Sequence, residues 1–366
     1  MKVLHIIHYG HGGIIKTIYT QGKYNTDKSI KYRVVCFCKI DQETIENFNS
    51  IGIKISHLNF HGHRVIVLIR DLMQLINDYK PDIVHTHQFL CGIIIRLYCL
   101  FSRSSMRIVT TIHNDYDYFY NSGNILKRIR SIIKRILEVT SYACFKTHVV
   151  CVSNKILQRV KNIYRLKDII VINNGIEIID DIKRVGRNGD IIIISIGRFD
   201  VQKNYKQLIR VLPEIIKNVI NIKLILVGNG EQFEYLEEYT QKKRLENFVE
   251  FTGWVNDVYA RLALADIFVL TSLFEGFPIC LLEAANAELP LISSDVSGAS
   301  DIIKPHYNGF LFQINNDKQL VEKLLQLIRD KNLRTKFGIN SKRLIREKFN
   351  ADGFVNKIED YYKIII

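Results

Sequence analysis

The sequence predicts an α/β protein made of two units in tandem, each built around its own parallel sheet. Three observations carry this. Short apolar runs recur along the chain, bounded by glycine turns or loops and followed by helical periodicity, as buried parallel strands with crossover helices require. The series stops at a polar stretch, "EIIDDIKRVGRNGD" (177–190), and then starts again. The 366 residues exceed one ordinary domain, and a hydrophobic content of 47% suffices for two cores of roughly 150–200 residues each.

The first series reads "KVLHIIH" (2–8), "YRVVCFCK" (32–39), "IKISHLN" (53–59), "DIVHTH" (82–87), "RIVTTIH" (107–113), "HVVCVS" (148–153) and a short "IIVINN" (169–174). Helical periodicity lies between them, as in 65–79 and 124–144. The second series reads "DIIIISIG" (190–197), "IKLILVG" (222–228), "VEFTG" (249–253), "IFVLTS" (267–272), "PLISSD" (290–295) and "GFLFQI" (309–314), and 317–366 reads as helices. The predicted division is 1–176, a linker at 177–189, a second unit at 190–350, and a helix at 351–366 that packs back on the first unit. Paired α/β units of this kind bind ligands at the C-terminal ends of their strands.

The opening "MKVLHIIHYGHGG" is too short an apolar run to span a bilayer, and a glycine turn follows it. It reads as a first strand rather than a signal peptide. No stretch reaches transmembrane length. Seven cysteines (Cys36, Cys38, Cys91, Cys99, Cys144, Cys151 and Cys280) form no CxxC pair, which points to reduced thiols in a cytoplasmic protein, with no zinc site or disulfide framework. The net charge of +14 admits nucleic acid, a membrane surface or an anionic substrate. Its location narrows the choice: eleven Lys/Arg and only two acidic residues, Glu138 and Asp168, lie between Lys127 and Asp168.

Three stretches carry chemistry. In "HYGHGGIIK" (8–16), Gly10, Gly12 and Gly13 lie between a strand and a helix. Glycine lets a backbone approach a ligand, and a helix N-terminus offers N–H groups to an anion, although a tight turn alone also needs glycine. In "SIGRFDVQKN" (195–204), Arg198 ends a strand and Lys203 precedes a helix. Two cations there suit a diphosphate, Arg as a planar fork and Lys as a point charge. In "TSLFEGFPICLLEAA" (271–285), Glu275 lies in a loop, Pro278 suits a first helical turn, and Glu283 falls among Leu282, Ala284 and Ala285. Helix capping accounts for one glutamate; a carboxylate among buried neighbours asks for a ligand.

These stretches resemble a known family. "EGFPICLLE" (275–283) is similar to the E-x7-E signature of retaining glycosyltransferases of family 4, the group 1 glycosyltransferases of surface polysaccharide assembly. "GHGG" (10–13), "DIVHTH", "TIHN" (111–114), "VSN" (152–154), "NNGIE" (173–177), "SIGRFDVQKN", "LVGNGE" (226–231) and "FTGW" (251–254) follow in the family's order across nearly the whole chain. The resemblance implies the GT-B fold, two Rossmann-like domains with parallel sheets facing across a deep cleft. It implies that Arg198 and Lys203 hold the donor's diphosphate, Glu275 the donor sugar's hydroxyls and Glu283 the ribose. Gly276, Phe277, Pro278, Ile279 and Cys280 would face sugar and phosphates, Trp254 and Val255 the base. Gly12 and Gly13 would approach the phosphates from the other domain, and His113 would lie near the reacting sugar carbon. One departure is "VSGASDII" (296–303), where the family often has GG-x-x-E.

The resemblance implies a hexosyltransferase that needs no metal or cofactor. It would move a hexose or N-acetylhexosamine from a nucleotide-sugar, expected to be a UDP-sugar, to a saccharide acceptor, expected to be lipid-linked, in bacterial capsule, O-antigen or glycolipid assembly. "DYD" (115–117) looks like a metal-binding DxD, but the two-Rossmann pattern makes Asp115 and Asp117 polar loop residues. In "NILKRIRSIIKRILEV" (124–139), Ile125, Ile129, Ile132, Ile133 and Ile136 form one stripe, expected to pack on the sheet. Lys127, Arg128, Arg130, Lys134 and Arg135 lie elsewhere, where they could meet anionic lipid on the inner face of the cytoplasmic membrane. Two competing readings are an epimerase on the same scaffold and a basic nucleic-acid-binding protein. Glu275 and Glu283 beside Arg198 and Lys203 favour transfer, and no nucleic-acid-binding element accompanies the charge, so no nucleic acid is expected as a partner.

Overall fold

The computed structural model describes the chain except residues 11, 59–64, 102–105, 115–124, 145–146, 165–167, 183–188 and 220. The chain divides into two compact units, one of Met1–Gly175 with Ala351–Ile366, the other of Ile176–Asn350. Asp115 and Asp117 lie outside the described residues.

In the first unit β1 (Lys2–Ile7), β2 (Lys31–Cys36), β3 (Lys54–His57), β4 (Ile83–His87), β5 (Arg107–Ile112), β6 (Thr147–Cys151) and β7 (Ile169–Val171) form one parallel sheet in the order β3-β2-β1-β4-β5-β6-β7. Between them run α1 (Gly13–Lys23), α2 (Gln42–Ser50), α3 (Val65–Tyr79), α4 (Phe89–Phe101), α5 (Ile125–Cys144) and α6 (Asn154–Tyr164). Alternate strand residues serve opposite faces. Val3, Ile7, Val34, Ile83 and Val109 build one core, while Leu4, Ile6, Val35 and Val84 meet Leu68, Leu72 and Ile95 on the other.

The second unit carries β8 (Ile191–Ile196), α7 (Tyr205–Ile216), β9 (Ile222–Val227), α8 (Phe233–Lys242), β10 (Val249–Phe251), α9 (Val258–Leu262), β11 (Ile267–Leu270), α10 (Ile279–Asn286), β12 (Leu291–Ser294), α11 (Ala299–Ile302), β13 (Gly309–Phe312), α12 (Asp317–Arg329) and α13 (Lys331–Lys348). Its parallel sheet runs β10-β9-β8-β11-β12-β13. Residues 177–182 of the predicted linker are fastened to this unit: Asn286 donates to the Glu177 carbonyl, and Arg346 pairs with Asp180.

The last helix, α14 (Ala351–Ile365), lies on the first unit, where Phe354, Val355, Ile358 and Tyr362 join its core. Polar contacts fix its position: Gln21 Nε2 donates to the Tyr362 hydroxyl at 3.2 Å, and Thr26 Oγ1 to Glu359 at 2.8 Å.

Helix α5 departs from the sequence expectation. The side chain of Ile125 lies outside the described ones; the rest of the predicted stripe, Ile129, Ile132, Ile133 and Ile136, does not pack on the sheet but is, with Leu137, 48–56% exposed. Inward it presents Glu138, Ser141 and Tyr142 instead. Under it lies Arg96 of α4, fully buried, donating from Nε to Ser141 Oγ at 2.9 Å and stacked 4.1 Å from the Tyr142 ring. A buried guanidinium requires polar partners, so Ser141 and Tyr142 turn in and the face from Ile129 to Leu137 turns out.

Candidate active site

In the second unit the chain runs from β8 outward through β9 to β10, then returns to place β11 on the other side of β8. The loops after β8 and β11 therefore emerge at the point where strand order reverses, the usual ligand position in open α/β sheets. Leu273 N donates to the Gln202 carbonyl at 2.8 Å, and Thr271 Oγ1 to the carbonyls of Lys203 and Asn204. These bonds bring "RFDVQKN" against "TSLFEG".

The contact builds a buried charge pair. Lys203 Nζ lies 2.6 Å from Glu275 Oε1. Ser272 Oγ donates to the same oxygen at 2.8 Å, and Gln202 Nε2 to Oε2 at 3.3 Å. Glu275 is thus held by a cation, a hydroxyl and an amide; it caps no helix, because Pro278 occupies the N-cap of α10 without a side-chain cap bond. Pro278 accordingly precedes the first turn rather than lying in it. Burial pushes the Lys203 ammonium down, but the carboxylate beside it outweighs this and holds its pKa above the usual lysine range. Cys280, in the first turn of α10, is buried; burial pushes its thiol up to about 12, with Lys203, Glu275 and Glu283 all close enough to act on it. The thiol stays protonated and is a poor nucleophile.

Glu283 is buried in α10 between Leu282 and Ala284. Phe277 is buried against Phe349, ring centroids 5.5 Å apart. Arg198 reaches outward, its side chain 64% exposed and its Nε 2.7 Å from Asp200 Oδ2. Asp200 Oδ1 in turn accepts from Lys203 N at 3.1 Å, so one carboxylate ties both cationic positions together. Trp254 stands 72% exposed, with Nε1 donating to Asn256, and Val255 is half-buried.

Gly298 holds the loop after β12 against this site. It sits at φ +75°, and a Cβ there would lie 2.5 Å from the Gly276 carbonyl oxygen and 2.7 Å from Phe277 Cα. Gly298→Val should lower stability by about 2 kcal/mol or more, through backbone strain and displacement of 276–277. Calorimetry of the variant checks this, and an unchanged melting midpoint would contradict the packing.

The first unit carries the remaining predicted positions. Its strand order reverses between β1 and β4. Gly12, at φ +82°, is the N-cap of α1, Gly13 begins the helix, and a Cβ on Gly12 would meet nothing within 4 Å. His113 follows β5 and is half-buried. It is joined to His87 at 2.9 Å (Nε2 to Nδ1), and His87 to His5 at 2.9 Å (Nε2 to Nδ1). Gln88, between β4 and α4, holds an uncommon φ of 111° and accepts from His8 N at 2.7 Å, joining the ends of β1 and β4.

His5, His85 and His87 place ring nitrogens within 4.8 Å of one another, a possible metal cluster among the described residues. The fit is poor. Both His85 nitrogens are engaged, by Tyr362 and Thr111, and His5 and His87 sit at hydrogen-bond distance from each other.

The profile "Glycosyltransferase Family 4" matches residues 11–179, and "Glycosyl transferases group 1" matches 178–344. The chain belongs to glycosyltransferase family 4. Among relatives of this transferase is an Escherichia coli UDP-Gal:alpha-D-GlcNAc-diphosphoundecaprenol alpha-1,3-galactosyltransferase, 28% identical over 82% of this chain and 81% of that protein. Another is the N-acetyl-alpha-D-glucosaminyl L-malate synthase of Bacillus anthracis, 25% identical over 81% and 78%. Anabaena HepE in complex with UDP matches the fold with a TM-score of 0.81 at 17% identity, over 99% of this chain and all of that one. The architecture is GT-B, two parallel-sheet Rossmann-like units.

Sequence reading missed Gln202, Ser272, His5, His87 and Gln88. The signal for the histidines is His5 inside the apolar run "VLHII" and His85 and His87 two positions apart in "DIVHTHQ".

Proposed function

We propose that this glycosyltransferase moves a hexose or N-acetylhexosamine from a UDP-sugar to a lipid-linked saccharide with retention of configuration, in assembly of a bacterial surface polysaccharide or glycolipid. The buried Lys203–Glu275 pair at the ends of β8 and β11 is the observation that carries this reading. It puts a cation for a diphosphate beside a carboxylate that accepts hydrogen bonds from sugar hydroxyls. The UDP and galactosyl parts of the E. coli relative's name support the donor class, and its diphosphoundecaprenol the acceptor class.

Lys203 and Arg198 stabilise the charge that grows on the departing diphosphate, which is electrostatic catalysis without a metal. The bond from the sugar's anomeric carbon to the phosphate oxygen breaks, the acceptor oxygen bonds the same face, and the acceptor's proton passes to the leaving phosphate. Glu275 orients sugar hydroxyls, Glu283 the ribose, Trp254 and Val255 the base. The backbone of 276–280, with Gly12 and Gly13, attends the sugar and phosphates, and His113 acts at the reacting carbon. Incubation with a panel of UDP-sugars tests this. UDP should appear only when a saccharide acceptor is present; a sugar epimerised without acceptor would establish the competing chemistry.

The acceptor's lipid has a matching surface on α5. The exposed Ile129, Ile132, Ile133, Ile136 and Leu137 recur at i, i+3, i+4, i+7 and i+8, one continuous apolar face. The same helix carries Lys127, Arg128, Arg130, Lys134 and Arg135 in its sequence, the composition of a helix lying in an anionic membrane interface. Among the described residues no helix is long and apolar enough to cross a membrane, so attachment would be peripheral, on the cytoplasmic face. Flotation with vesicles containing anionic lipid should be strong at low salt and lost in Ile132→Asp/Ile136→Asp. Binding indifferent to lipid charge, salt and these substitutions would remove the membrane from the account.

A further inference from the structure

His113, His87 and His5 form a row of imidazoles on one face of the first sheet. Register explains the row. His5 on β1 pairs with His85 on β4, and His87 pairs with Thr111 on β5, so positions two residues apart on adjacent strands share a face. The row has an unpaired end: His5 Nε2 is buried and, among the described residues, has no hydrogen-bond partner. Burial lowers the pKa of all three rings far below 6.5, that of His5 and His113 to about 3, so each ring is neutral near pH 7.

A neutral imidazole carries a single N–H. Three such rings joined in line have two proton registers. In one, each ring is protonated on Nδ1: His5 donates to His87, His87 donates to His113, and His113 keeps an Nδ1–H for another partner. His5 Nε2 is then a bare lone pair. In the other register each ring is protonated on Nε2, and His5 holds a buried N–H with nothing to receive it. Orphaned buried N–H groups are rarer than under-satisfied acceptors, which selects the first register.

We propose that His87 and His5 are positioning residues that hold His113 as its Nδ1–H tautomer, so that it meets the transferred sugar as a hydrogen-bond donor and not as a base. The role at the sugar rests on the function proposed above; the tautomer does not. The neighbouring His85 is occupied separately, its Nδ1 with the Tyr362 hydroxyl at 2.5 Å and its Nε2 with Thr111 Oγ1 at 2.6 Å, and it makes no hydrogen bond to the row.

The test compares His87→Asn with His87→Asp in the full chain. The Asn amide can donate to His113 Nε2 from the place of Nδ1; the Asp carboxylate can only accept and draws the proton onto Nε2. Imidazole nitrogen shifts, assigned through His113→Gln, report the tautomer, alongside kcat, donor KM and the melting midpoint. The wild type and the Asn variant should both show Nδ1–H, with kcat within about tenfold of each other. The Asp variant should show Nε2–H and a kcat lower by about 10²-fold with donor KM little changed. If the Asp variant does not fold, His87→Leu replaces it and should show mixed tautomers. A wild-type His113 protonated on Nε2, or Asn and Asp variants alike in tautomer, would overturn the proposal. A tautomer that flips without any change in kcat would keep the positioning and overturn the catalytic role of His113.

Discussion

Glu275→Ala is expected to lower kcat/KM by about 10²–10³-fold, the range for loss of one preorganised polar contact to a reacting group. It should also destabilise the second unit. Lys203 is buried against this carboxylate, and removing one partner of a buried pair leaves an uncompensated charge, at about 3–5 kcal/mol. The two effects separate in the double variant Lys203→Met/Glu275→Leu. Apolar groups of similar volume replace the pair, so stability should recover most of the loss while turnover stays at least as low as in Glu275→Ala. Thermal unfolding and turnover of the two single variants and the double variant form the cycle. Recovery of turnover together with stability would mean that the pair serves the fold alone.

The first unit is expected to lose stability in mild acid well before the second. His5 and His113 have pKa values lowered to about 3, His85 and His87 values well below 6.5, each first through burial. The sign follows from proton uptake. Below about 6.5 the unfolded chain protonates these rings while the fold keeps them neutral, so the unfolded state binds more protons and stability falls with pH. Above 6.5 both states are neutral and the contribution vanishes. Four such rings give a slope of up to ~5 kcal/mol per pH unit. The second unit contains one histidine, His306, and it is exposed. Hydrogen exchange followed from pH 7 to 4.5 should show 1–175 opening first; equal protection of both units at pH 5 would contradict the neutral row.

The order of strands was legible because buried parallel strands are apolar along their whole length and helices break them at regular intervals. Glu275, Glu283, Arg198 and Lys203 stood out as candidates because charges at strand ends and in an apolar helix are conspicuous, and the structure pairs two of them, Lys203 and Glu275. Their partners were not. Ser272 and Gln202 are ordinary loop residues until β11 is placed beside β8, an adjacency across more than sixty residues that the sequence does not display. The row from His5 to His113 likewise needs the register of β1 on β4 and β4 on β5. Helix α5 shows the limit of periodicity. The pattern located the Ile stripe but not the side it faces, because that depends on Arg96, thirty residues earlier, being buried beneath the helix and drawing Ser141 and Tyr142 inward.

Binding of UDP to the wild type and to Lys203→Met, followed as the shift in melting temperature and by calorimetry, tests most directly whether the loops after β8 and β11 hold a nucleoside diphosphate. A ligand that binds only the folded form raises the melting temperature with occupancy. UDP should raise it in the wild type, and the shift should be largely lost in Lys203→Met. A wild type indifferent to every nucleoside diphosphate, or a Lys203→Met variant that binds UDP as tightly as the wild type, would contradict the account.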